Sequence, residues 1–66
     1  MFVKVNNKTI EISKDISIGQ FLESLGYDVS SNTVMVNGDV LPRDEYYRRL
    51  VKEGDEIVVI YLMAGG

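Results

Sequence analysis

The last two residues of the sequence, Gly65 and Gly66, carry a carboxylate that has no side chain beside it. Glycine has nothing to pack and loses the most conformational freedom when it becomes ordered, so this pair contributes nothing to the stability of a fold. A backbone without side chains is thin enough, however, to enter a narrow channel in another protein. The pair therefore predicts a terminal carboxylate that reacts inside a partner.

The rest of the sequence lacks the side chains on which most catalysis depends. It has no His and no Cys, so the usual general base and the best side-chain nucleophile are both missing. Its carboxylates fall in predicted turns and at predicted helix ends, with a spacing unlike that of a calcium loop. We therefore expect a substrate or carrier rather than an enzyme, with no metal site and no bound cofactor.

Length and composition limit the remaining classes of function. The chain has 66 residues and a formal net charge of -3, which argues against binding of nucleic acid through a basic face. Its longest apolar run, Ile57 to Ala64, is far shorter than a membrane span, and the absence of cysteine fits a reducing compartment. We expect one cytoplasmic domain over residues 1–66, with a flexible tail over residues 63–66, that binds neither nucleic acid nor membrane.

Five short strands and one helix are predicted to position this terminus. Alternating apolar residues and turn signals place the strands at residues 2–5, 9–12, 33–36, 40–41 and 56–62. Ser17 is predicted to cap a helix whose apolar stripe is Ile18, Phe21, Leu22 and Leu25, and Gly26 to end it. A short helical turn, capped by Asp44, is expected from Tyr46 to Leu50.

The last strand is apolar on both faces, which predicts a central position in the sheet. The simplest arrangement pairs it in parallel with the first strand and lays the helix across one face. We therefore predict an α+β fold, the β-grasp or ubiquitin-like roll, with a mixed sheet and one main helix.

The register of the last strand predicts a second functional feature. If Ile57, Val59 and Tyr61 face the helix, the alternate residues face away from it, where this fold has no second layer. An uncovered apolar surface of this kind usually marks a partner site, and an adaptable methionine suits a protein that serves two enzymes in turn. We expect the partner-docking patch to consist of Met35, Val58, Ile60 and Leu62.

The stretch from Val36 to Gly66 resembles the small sulfur carriers of thiamine biosynthesis, in the ThiS/MoaD ubiquitin-like family. The similarity lies in Asn37-Gly38, Pro42-Arg43, an aromatic residue at Tyr46, Gly54-Asp55 and the terminal Gly65-Gly66. The predicted hairpin and the helix that ends in Leu25-Gly26 extend the resemblance over the whole chain.

The resemblance implies a specific chemistry for the terminus. A ubiquitin-activating-like adenylyltransferase would use ATP and magnesium to adenylate the carboxylate of Gly66. A persulfide donor would then supply sulfur and leave a thiocarboxylate, which passes to thiazole synthase or another acceptor enzyme. Ala64, Gly65 and Gly66 would lie in the channel of the activating enzyme, since four residues beyond Leu62 extend at most about 14 Å.

Three alternatives stay open at this point. The small subunit of a molybdopterin-forming synthase, or a carrier for another sulfur pathway, would use the same tail chemistry. A ubiquitin-like modifier would instead join its terminal carboxylate to a lysine of another protein. A plain interaction module would have an inert tail.

Overall fold

The computed structural model describes residues 1–61 of the chain. Its elements are β1 (Phe2–Val5), β2 (Lys8–Glu11), α1 (Ile18–Ser24), β3 (Thr33–Val36), β4 (Asp39–Val40), a 3-10 helix (Arg43–Glu45) and β5 (Glu56–Ile60). The strands form one sheet in the order β2-β1-β5-β3-β4. β5 pairs in parallel with β1 and antiparallel with β3, so its predicted central position is confirmed.

Both hairpins turn on residues with a left-handed backbone. Asn6 and Asn7 have φ angles of 48° and 69°, and Asn37 and Gly38 have φ angles of 54° and 88°. Because Val5 pairs with Lys8, the first turn has two residues, and Lys8 belongs to β2 rather than to the predicted three-residue turn. Asparagine adopts this conformation more readily than other residues with a side chain, which explains its use in both turns.

Helix α1 begins at the predicted cap. The hydroxyl of Ser17 accepts a hydrogen bond from the backbone N–H of Gln20 at 3.2 Å. The N–H groups of Ile18 and Gly19 donate to the carbonyls of Arg49 and Tyr46, at 2.9 Å and 2.6 Å. The first N–H groups of the helix, which have no partner inside it, are thus satisfied by the chain around residues 46–49.

These hydrogen bonds explain why the second predicted helix is wrong. The carbonyl of Tyr46 accepts from Gly19, and Val51 donates to the carbonyl of Ile16, so these groups do not form a helical ladder. The short helix is instead the 3-10 turn Arg43–Glu45, with Pro42 at its N-cap and no hydrogen bond from a capping side chain. The preceding strand also starts and ends one residue earlier than expected, at Asp39–Val40.

The core lies between α1 and the face of the sheet that α1 covers. Among residues 1–61 it consists of 13 buried apolar residues: Val3, Val5, Ile18, Phe21, Leu22, Val29, Val34, Val36, Leu41, Tyr46, Val51, Ile57 and Val59. Leu25, predicted to belong to the helical stripe, is 40% exposed because the helix ends at Ser24 and Leu25 is its C-cap. The apolar stripe therefore ends at Leu22.

A buried carboxylate stabilises the turn into β5. Asp55 is 4% exposed and forms an ion pair with Arg49 at 2.9 Å. It also accepts hydrogen bonds from the Lys52 N–H at 2.8 Å and the Asn37 side chain at 3.0 Å. Burial alone would raise the pKa of Asp55, but these hydrogen bonds and the Arg49 charge outweigh burial and hold the pKa below its usual value.

Candidate functional site

The face of the sheet opposite α1 is apolar at the C-terminal end of β5. Along that strand Ile57 and Val59 are buried against the helix, whereas Val58 and Ile60 are 42% and 40% exposed. The predicted orientation of these four residues is therefore confirmed. Period-two alternation explains it, because successive side chains of a strand point to opposite faces.

Two residues of the neighbouring hairpin extend this surface. Met35 on β3 pairs with Val58 and is half-buried, and it alternates with the buried Val34 and Val36, so its predicted place on the outer face is confirmed. Val40 on β4 pairs with Met35 and is 62% exposed, although the sequence analysis did not include it. We call the surface of Met35, Val40, Val58 and Ile60 the outer patch. The Asn37-Gly38 turn contained the missing signal, because a two-residue hairpin places Val40 directly opposite Met35.

The same face becomes polar toward the start of β5. Glu56 pairs with Lys4 of β1, and Lys4 pairs in turn with Thr9 of β2. Lys4, Thr9 and Glu56 are all exposed. The outer face therefore has charged residues beside the start of β5, with the exposed Phe2 of β1 near them, and an apolar surface at the end of β5, from which the chain continues toward its terminus.

Tyr61, the last residue that the structure describes, follows directly on β5. It was predicted to face the helix, and its ring stacks on that of Tyr27, the second residue after the helix C-cap, with centroids 6.1 Å apart. Tyr61 is nevertheless 55% exposed, so it lies at the rim of the core rather than inside it. Its exposure reflects the end of β5 at Ile60, one residue earlier.

The remaining predicted site residues lie outside the described part of the chain. These are Leu62 of the expected docking patch and the channel residues Ala64, Gly65 and Gly66, together with the tail predicted over residues 63–66. Their roles, and docking at Met35, Val58 and Ile60, stay predictions. The structure describes the strand that precedes these residues in the sequence and the surface beside it.

Titrating groups with shifted pKa values lie elsewhere among the described residues. The pKa of Tyr47 is raised, chiefly because its hydroxyl donates a hydrogen bond to the carboxylate of Glu23. The pKa of Asp28 is lowered, chiefly by the hydrogen bond from the Ser30 hydroxyl. Both pairs are exposed; Asp28 and Ser30 are two positions apart, whereas Tyr47 and Glu23 are 24 positions apart.

Within residues 1–61, no group of three or more His, Cys, Asp or Glu side chains is placed to hold a metal ion. None of the helices described there is long and apolar enough to cross a membrane.

Residues 3–66 match the model of the ThiS family. The chain belongs to this family. A curated relative, the sulfur carrier protein ThiS of Escherichia coli (strain K12), is 23% identical over 66 residues, which is the full length of both chains. The match therefore extends to the terminal glycines.

Solved structures of ThiS from Geobacter metallireducens have the same fold. The crystal structure has a TM-score of 0.83 and 30% sequence identity, with both chains covered completely. The solution structure has a TM-score of 0.77 and 30% identity and covers 100% of this chain and 88% of the other. These neighbours confirm the predicted β-grasp fold. Membership of the ThiS family confirms the resemblance seen in the sequence, and with it the interpretation of the chain as a carrier rather than an enzyme.

Proposed function

We propose that this chain carries sulfur for thiamine biosynthesis as a thiocarboxylate on Gly66. An oxygen of the Gly66 carboxylate attacks the α-phosphate of ATP in a ubiquitin-activating-like adenylyltransferase, and pyrophosphate leaves. The terminal sulfur of a persulfide then attacks the acyl carbon and displaces AMP. A thiol reduces the resulting acyl disulfide, which leaves the thiocarboxylate for thiazole synthase or another acceptor.

The observation that carries this proposal is the full-length family match, which includes the terminal glycines. The composition supports it independently. Because the chain has no cysteine, no internal thiol competes for the activated acyl group. Because it has no side chain at residues 65 and 66, only backbone needs to enter the partner's ATP site.

We further propose that the outer patch binds the adenylyltransferase. Val58 and Ile60 are exposed apolar residues at the end of the strand that leads to the tail. Four residues beyond Leu62 reach about 14 Å at most, so the body must dock close to the mouth of the channel that receives Gly66. Val58 and Ile60 of the outer patch come shortly before Leu62 in the sequence, so docking through this patch would bring the start of the tail close to the enzyme. The flexible side chain of Met35 would let the same patch adapt to a second enzyme.

A reconstituted reaction tests the proposed chemistry. The purified chain is incubated with its adenylyltransferase, ATP, magnesium, a persulfide donor and a thiol reductant, and the terminal peptide is identified by tandem mass spectrometry. We expect one oxygen of Gly66 to be replaced by sulfur only when ATP is present. The control is the chain that lacks Gly66, which should stay unmodified.

Other products would contradict the proposal in distinct ways. An isopeptide bond between Gly66 and a lysine of another protein would identify a ubiquitin-like modifier. An unmodified terminus under all conditions, together with full biological activity of the chain that lacks Gly66, would identify an interaction module. Transfer of sulfur to a molybdopterin precursor in place of thiazole synthase would support the thiocarboxylate chemistry at Gly66 but contradict the assignment to thiamine biosynthesis.

A further inference from the structure

An asparagine side chain extends the hydrogen bonding of β5 beyond the end of β1. β1 ends at Val5, and Asn6 leaves the strand with a φ angle of 48°. The Asn6 N–H still donates to the carbonyl of Ile57 at 2.9 Å. Its side-chain oxygen accepts from the N–H of Val59, also at 2.9 Å. Asn6 thus replaces the strand carbonyl that β1 no longer provides.

The end of α1 fixes Tyr27 beside this asparagine. Gly26 has a φ angle of 93°, and its N–H donates to the carbonyl of Glu23 at 3.0 Å. The Tyr27 N–H donates to the carbonyl of Leu22 at 3.0 Å, which completes a Schellman motif. Tyr27 is partly buried against the core, and the Asn6 side-chain amide donates to its hydroxyl at 3.5 Å.

The Tyr27 ring in turn contacts the residue at which the chain leaves the sheet. The rings of Tyr27 and Tyr61 are inclined by 30°, and their centroids are 6.1 Å apart, within the range of stacked aromatic pairs. Tyr61 lies outside β5, which ends at Ile60. The stack on Tyr27 is the contact that the structure describes for the Tyr61 side chain. We call Asn6, Tyr27 and Tyr61 the exit cluster.

We propose that Tyr27, held by Asn6, is a positioning residue that sets the direction in which the chain leaves β5 at Tyr61. The inference rests on the proposed function, because the direction matters only if Gly66 must reach a partner's active site. A terminus whose base is fixed in direction loses less conformational entropy when it enters a channel than one whose base is free. Loss of the stack therefore lowers the rate of activation.

Adenylation kinetics with matched variants test this inference. ATP–pyrophosphate exchange is measured with the adenylyltransferase for the wild type, Tyr27→Leu, Tyr61→Leu and Tyr27→Phe. We expect kcat/KM to fall about tenfold for each leucine variant, the size expected when one preorganised contact is lost. Tyr27→Phe keeps the stack and loses only the hydrogen bond from Asn6, so its loss should be smaller than that of either leucine variant. Tyr47→Leu is the control, because Tyr47 is a tyrosine of similar exposure, 54%, outside the cluster.

A double variant separates the stack from a direct contact between Tyr61 and the enzyme. If the two rings act through each other, Tyr27→Leu combined with Tyr61→Leu should lose no more than either single variant. Additive losses would overturn the inference, because they would mean that each ring acts alone. The inference would also be overturned if kcat/KM fell equally in Tyr47→Leu, or if it fell in proportion to the loss of thermal stability in each variant. Either result would mean that general destabilisation causes the loss of activity.

A measurement on the chain without any enzyme keeps this inference distinct from the proposed function. The NMR order parameter of the Tyr61 amide should fall in Tyr27→Leu and stay unchanged in Tyr47→Leu. An unchanged value in Tyr27→Leu would overturn the positioning role even if Gly66 is activated. Failure of the wild type to support pyrophosphate exchange would instead reject the proposed function.

Discussion

The two faces of β5 have the same kind of residues in opposite environments. Ile57 and Val59 are buried against α1, and Val58 and Ile60, which alternate with them, are exposed on the outer patch. Hydrophobicity does not distinguish the two sets, because all four residues are Val or Ile. The difference comes from the fold, which covers one face of the sheet with a helix and leaves the other face uncovered. We therefore expect inner substitutions to change stability and outer substitutions to change binding.

The largest effect should come from the inner face. Ile57 is 1% exposed, so Ile57→Ala should lower the free energy of unfolding by about 2–5 kcal/mol, because it removes buried methyl groups and leaves a cavity. Urea denaturation followed by circular dichroism measures this loss. Val58→Ala on the neighbouring residue is the control and should cost much less. Similar losses at both positions would reject the contrast between the faces.

The next effect concerns the turn that brings the chain into β5. Because the pKa of Asp55 is lower in the folded protein than in the unfolded chain, where it is about 3.9, the charged carboxylate stabilises the fold. This stabilisation is complete when the pH is above the unfolded-state pKa, and it is lost as the pH falls through the folded-state pKa. Asp55→Asn should therefore cost about 3 kcal/mol at pH 7, where it leaves Arg49 without its charged partner.

Urea denaturation at pH 7 and pH 3 measures the pH dependence of this loss. The difference in unfolding free energy between the wild type and Asp55→Asn should narrow at pH 3, because the unfolded wild-type chain, in which the carboxyl has a pKa of about 3.9, takes up a proton there. Asp39→Asn is an exposed control with no ion pair among the described contacts. A difference that is the same at both pH values would contradict the role of the Asp55 charge.

A smaller effect, on binding alone, is expected from the outer patch. Ile60→Asp should weaken binding to the adenylyltransferase by about 2 kcal/mol, the loss typical of a central interface residue, and leave the fold intact. Calorimetric titration measures the affinity, and thermal melting checks the fold. Thr9→Asp, at the polar end of the same face, is the matched control. Unchanged affinity of Ile60→Asp would reject the outer patch as the docking site.

The smallest effect should come from the edge of the outer patch. Val40 is 62% exposed on the edge strand β4, so Val40→Ser should weaken binding by only about 1 kcal/mol, as expected for a residue near the rim of an interface. The same titration measures it. A loss larger than that of Ile60→Asp would move the centre of the docking surface from β5 to β4.

The sequence predicted the features that depend on local pattern. Alternation in β5 and the cap at Ser17 identified the central strand and the helix, because each depends on residues a few positions apart. Val40 was predictable in the same way from the Asn37-Gly38 turn. The expected helix over residues 46–50 failed because the carbonyls of Tyr46 and Arg49 accept hydrogen bonds from the N–H groups at the start of α1, a contact that local propensity does not contain.

The exit cluster was not predictable for the same reason. Asn6 and Val59 are 53 positions apart, so no local pattern connects them. Tyr27 packs against the core because the glycine that ends α1 reverses the direction of the chain. The contacts among Asn6, Tyr27 and Tyr61 form only once the whole chain has folded, so local sequence patterns do not predict them.

The most direct test is the intact mass of this chain isolated from its native cells. Our account predicts a population in which one oxygen at the terminus is replaced by sulfur, and it predicts that this population disappears when Gly66 is deleted. A terminus that stays an ordinary carboxylate while cells actively form thiazole would contradict the account.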